Sequence, residues 1–133
     1  MSYGLSATVN RAFSATVEAT RAALAEQGFG ILTEIDLQAT LKAKLDVDIE
    51  PQVILGACRP PLAYAAMQAE PSIGLLLPCN VVVRSIDPDR TLVEVLDPQV
   101  MEELTGNPAV AEVAAEARTR LLAALDALAP AAA

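Results

Sequence analysis

The sequence predicts an α+β fold, a mostly antiparallel sheet with helices on one face. Three observations carry this. Residues Tyr3 to Val9 alternate apolar and small polar side chains, the period of a half-buried strand. Two apolar runs, ending at Ile86 and starting at Thr91, flank the turn Asp87-Pro88-Asp89-Arg90 and read as a hairpin. The chain then closes with Val110, Val113, Ala117, Leu121, Leu125 and Leu128, a continuous stripe along one helix.

Taken in order, the strand Tyr3–Val9 is followed by a helix with Ser14 as its expected cap and Gly28 as its left-handed terminator. Phe29 should fold back onto Leu24. A second strand runs from Phe29 to Ile35, and Asp36 caps a short amphipathic helix carrying Leu37, Leu41 and Leu45. Asp46, Asp48 and Glu50 alternate with apolar residues, but a calcium loop also needs a central glycine and a distal glutamate that are missing. They read as a solvated loop ending at Pro51. Gln52–Cys58 is a buried strand, and Pro60-Pro61 starts a helix that lines its inner face with Leu62, Ala65, Ala66 and Ala69 and ends before Pro71. The apolar run Ile73–Ile86 predicts the longest strand, placed mid-sheet. After the hairpin strand Thr91–Leu96, Asp97-Pro98 opens a short helix stopped by Gly106, and Asn107-Pro108 opens the long terminal one. The length suits one domain, 1–133, with 129–133 expected to fray.

Composition excludes several function classes. Nine basic against seventeen acidic residues give a formal net charge of -8, which predicts no nucleic-acid or anionic-membrane partner. Histidine is absent, so imidazole base catalysis, Ser-His or Cys-His nucleophiles and histidine metal sites are all ruled out. Aromatic residues are 3% of the chain, too few for a stacking platform. No apolar run approaches the ~20 residues that span a bilayer, and the first residues lack a basic and apolar leader, so a cytoplasmic protein is expected. The alanine- and leucine-rich stretch Ala109–Leu128 and the two-faced apolar strand predict a homodimer.

The segments Gly28-Phe29, Glu34-Ile35-Asp36, Ile54-Leu55-Gly56-Ala57-Cys58 with Pro60, Gly74-Leu75-Leu76-Leu77-Pro78-Cys79-Asn80-Val81 and Asp97-Pro98 occur in an order and spacing that resemble the domain of unknown function 302 family. The resemblance covers nearly the whole chain. It implies a β-α-β(4)-α architecture with extra short helices, similar to one half of the TATA-binding-protein fold, and no established activity, cofactor or substrate. That fold analogy transfers no function. Arg59 departs from the small polar residue the family favours after the cysteine, which implies a different ligand here if that position contacts one.

Both cysteines stand beside prolines, in Gly56-Ala57-Cys58-Arg59-Pro60-Pro61 and Leu77-Pro78-Cys79-Asn80. In a reducing compartment they are free thiols, a redox pair or metal ligands before they are a structural disulfide. Cys58 precedes a proline-initiated helix whose N–H groups and dipole, with Arg59, would favour a thiolate. The alternative is a small buried residue closing a tight turn. Cys79 sits in an apolar strand where Pro78 demands an edge, a lost bond or a bulge, and a bulge would turn Cys79 and Asn80 toward a cavity. The alternative there is a packed core thiol. The candidate binding residues are therefore Cys58, Arg59, Cys79 and Asn80, with Cys58 the candidate nucleophile. The leading expectation is a non-catalytic module with a small-molecule pocket at these turns. The alternatives are thiol redox or transfer with Cys79 as resolver, and a Cu(I) or zinc site on Cys58 and Cys79 completed by carboxylates or a second subunit. No cofactor is indicated by any motif.

Overall fold

The computed structural model describes residues 3–129. Five strands, β1 (Gly4–Val9), β2 (Gly30–Asp36), β3 (Gln52–Cys58), β4 (Cys79–Asp87) and β5 (Arg90–Leu96), form one sheet in the order β1-β5-β4-β3-β2 with every neighbouring pair antiparallel. The helices are α1 (Phe13–Glu26), α2 (Leu37–Leu45), α3 (Pro60–Ala69), α4 (Gln99–Thr105) and α5 (Pro108–Leu128). This is the expected α+β fold, with Val81 to Val83 on the central strand.

Register decides which residues form the core. Val53 opposite Val83, Leu55 opposite Val81, and Val81 and Val83 opposite Val95 and Val93 all point to one face. There they meet Val17 and Leu24 of α1 and Leu121 and Leu125 of α5 in the main core. Burying each such aliphatic side chain is worth about 1.5–3 kcal/mol. Of the stripe read on α5, Val110, Ala117, Leu121 and Leu125 are buried, joined by Ala114 and Ala124, while Val113 and Leu128 are half-buried at its margins. A second, smaller core joins Ala66, Ile73, Met101 and Val110.

The helix ends follow local chemistry. Gly28, at φ 82, closes α1 in a Schellman motif: Phe29 N–H donates to Leu24 O (3.0 Å) and Gly28 N–H to Ala25 O (2.9 Å), with Leu24 and Phe29 in the same core. Asp36 accepts from Ala39 N–H at 2.9 Å, and Asn107 from Ala109 N–H at 2.9 Å.

Several expectations are corrected. Ser14 is not a cap: α1 starts at Phe13, after Ala12, and Thr16 Oγ1 donates to Ala12 O (2.9 Å) while Thr91 Oγ1 holds Arg11 O (2.9 Å) at the entry. The leucines of α2 make no core stripe, since the helix buries no residue and Leu45 is 66% exposed. Asp46 and Asp48 fold back on Lys42 Nζ, at 3.0 and 3.2 Å. The long strand does not begin at Ile73, because Pro71–Leu76 is a 3₁₀ segment. Three residues per turn put Ile73 and Leu76 on the inner side and leave Leu75 87% exposed, whereas a strand would have buried Ile73 and Leu75 together. Of the tail expected to fray, only Ala129 lies within the described residues.

Two bulges reshape the ladder. On β2, Ile31 pairs with Ala57 and Thr33 with Gly56, so Leu32 is an extra residue and the facing of later side chains flips. On β4, Ser85 pairs with Thr91 and Asp87 with Arg90, leaving Ile86 extra at the hairpin turn. There Arg90, donating to Asp87, and then the Asp89 N–H hold the Asp87 carboxyl below the usual carboxylate range.

Candidate functional site

The thiol segments meet because β3 ends where β4 begins. Cys79, the first residue of β4, lies opposite Ala57, so Cys58 stands one residue beyond that rung, at the end of β3. Both thiols are free and partly buried. They line one small apolar cavity of about 30 Å³, closed by Leu62 and Ala66 from α3, Met101 from α4 and Ala117 from α5. That volume holds about one or two water-sized groups. The helical wall was not legible as a site, since Leu62, Ala66 and Ala117 carry only an apolar pattern that any core helix shares.

Electrostatics separates the thiols. Burial, and then the neighbouring Cys58, push the Cys79 thiol up to about 11, because a thiolate there would lose its hydration beside a second negative charge. The expected anion-favouring environment at Cys58 is weakened by the helix itself. Pro60 and Pro61 have no N–H, and Leu62 N and Ala63 N are both spent on Arg59 O at 3.0 Å, so the first turn of α3 has no free donor to offer. Arg59 reaches elsewhere: its Nε donates to Gln27 O (3.2 Å), and Nη1 lies 3.6 Å from Glu116 Oε2. A Cβ on Gly28 would come within 2.9 Å of Arg59 Nε, so the side chain lies directly across the end of α1.

Asn80 is not part of this cavity. The ladder runs without a bulge from Cys79 to Asn80, whose partner is Gly56, so the Asn80 side chain takes the opposite face of the sheet. Sequence reasoning also missed the contact that seats Pro78. Gly56 is buried between Thr33 and Pro78, and a Cβ on it would meet the Pro78 ring at 2.8 Å and overlap Thr33 Oγ1 outright. The Leu77–Pro78 peptide is cis. Among the described residues no group of three or more histidine, cysteine, aspartate or glutamate side chains is arranged to hold a metal ion.

Residues 5–128 match the family described as Domain of unknown function DUF302. The chain belongs to the DUF302 family. A crystal structure of an uncharacterized conserved DUF302 protein from Bacillus stearothermophilus is similar to this DUF302 chain with a TM-score of 0.88 and 28% identity, over 96% of this chain and 99% of that one. No curated protein matches it. The resemblance carried by the Gly-Ala-Cys and Leu-Pro-Cys-Asn segments thus identified the family, and the family assigns no reaction. No helix among the described residues of this DUF302 chain is long and apolar enough to cross a membrane.

Proposed function

We propose that this chain is a non-catalytic binding module that seats a compact apolar group in the cavity beneath α3, against Cys58 and Cys79. The observation that carries the reading is the lining: β3, β4, α3, α4 and α5 converge on one small space whose lining residues are all apolar apart from the two cysteines and Arg59. With its pKa raised to about 11, Cys79 is ionised in about one molecule in ten thousand at neutral pH. It serves there as a soft, neutral wall and not as a nucleophile. The test is titration with a series of short aliphatic alcohols followed by backbone amide shifts. Saturable shifts are expected at Ala57, Ala66, Cys79 and Ala117, with loss of saturation in Ala66→Leu, which fills the space. Weak shifts spread over the surface would end the proposal.

A second reading rests on one observation, that Cys58 and Cys79 stand at the same cavity from paired strands. Residues so placed have Cα atoms about 6 Å apart, within the range disulfides use, but alternation along β3 starts the two side chains toward opposite faces, so closure requires Cys58 to turn at the strand end. Two thiols would close to one disulfide with two protons and two electrons passed to a diazene such as diamide. Treatment with diamide discriminates: an intramolecular product lighter by two hydrogens, absent from Cys58→Ser, supports thiol redox, whereas recovery of two free thiols leaves the binding reading.

A further inference from the structure

The sheet has a second face that the cores do not use. Every strand residue of the main core, from Val9 on β1 to Val53 on β3, points to the side of α1 and α5. On the other side one row of paired residues crosses all five strands: Ile35, Ile54, Val82, Glu94 and Ser6. In the next row Arg84 pairs with Leu92 and Gln52. Ile35 is 45% exposed. We infer that this face is where a second copy of the chain docks, sheet against sheet.

Three features select a second copy. The first is charge: a chain of net charge -8 repels itself over most of its surface, yet this face is neutral, its Arg84 and Glu94 paired at 3.1 Å. The second is self-complementarity. A two-fold interface needs one patch that matches itself, and a two-fold axis lying in the interface and crossing midway between these residues sets Arg84 of one copy over Glu94 of the other. Both residues then exchange partners without leaving a buried charge unpaired. The third is area. Five strands about 4.8 Å apart, with about six residues each at about 3.3 Å, give a face of roughly 480 Å², so that two copies remove about 1,000 Å², the threshold for a specific interface. Packed sheets of this kind sit about 10 Å apart with their side chains interleaved. The apolar stripe of α5, by contrast, is consumed inside the fold.

Sedimentation equilibrium on the full chain at micromolar concentration tests this. The expected mass is twice 13.9 kDa. Val82→Arg should return the chain to a monomer, and Leu122→Asp on the outer side of α5 should not. Should Val82→Arg unfold, the charge reversals decide: Arg84→Glu and Glu94→Arg should each weaken association by about tenfold or more, and the double reversal should restore it. A wild-type monomer across the concentration range overturns the inference, whatever other protein or lipid the face then binds. So does a dimer that Leu122→Asp dissociates while the face variants leave it intact.

Discussion

Replacing Gly56 by alanine tests whether the thiol segments are held by the packing described above. The backbone itself permits alanine, since among the described residues the glycines with positive φ are Gly28 and Gly106 only. Restricting the unfolded chain would even favour alanine by about 0.4–1 kcal/mol. The obstacle is space. The new methyl would sit 2.8 Å from Pro78 Cγ and overlap Thr33 Oγ1, where ordinary contact begins at 3.4 Å. A proline ring cannot swing away, and a β-branched threonine on a paired strand has few rotamers, so the upper end of the overpacking range, about 3 kcal/mol, applies. The net expectation is a loss of about 2 kcal/mol, or about 1 M in the urea midpoint for a slope near 2 kcal/mol per M. The Thr33 Cβ lies 3.5 Å from the new methyl, so Thr33→Ala removes that clash and leaves only the proline. In that background the penalty should fall by about half, a coupling a double-mutant cycle reads directly. Urea titration by circular dichroism is the assay. A penalty below about 0.5 kcal/mol, or the same penalty with and without Thr33, would refute the reasoning.

The Cys79 thiol, raised by burial to about 11, binds its proton more tightly in the fold than in the unfolded chain, so its contribution is whole below the unfolded thiol pKa and is lost as pH rises toward 11. At about 1.36 kcal/mol per tenfold change the loss is at most about 3 kcal/mol, and Cys79→Ala should flatten the alkaline limb of a stability-against-pH curve. Iodoacetamide followed by peptide mass spectrometry should label Cys58 before Cys79 near neutral pH, because burial raises the Cys79 thiol to about 11 and leaves it about a hundredfold less thiolate than it has in the unfolded chain; labelling of Cys79 first would contradict this. With net charge -8, no duplex binding is expected at physiological salt, and a salt-sensitive shift of labelled DNA at micromolar protein would overturn that expectation.

How much of this was legible before the structure depends on which interaction decides each residue. Caps and terminators at Gly28, Asp36, Gly106 and Asn107 are local, so residue type alone locates them. The donor-free start of α3 was equally open to reading, since Pro60 and Pro61 name themselves. Leu75-Leu76-Leu77 was misread as strand because a short apolar run has no period of its own, and only the packing of Ile73 and Leu76 on Met101 and Val110 selects the 3₁₀ turn. The offset of Cys58 from Cys79 and the exclusion of Asn80 follow from register, which a sequence carries only through long-range pairing. The cavity at the thiols needs α3, α4 and α5 at once and has no local signature.

The extra residue on β2 has a bearing on solubility. β2 is an outer strand whose free side could otherwise template another strand and let sheets grow edge to edge into fibres. With Leu32 displaced from the ladder, the free hydrogen-bonding groups no longer keep a regular spacing, and an incoming extended chain can match them on one side of the bulge but not through it. Growth in the plane of the sheet is thereby blunted at this border, while the proposed pairing of two copies across the open surface would use neither edge.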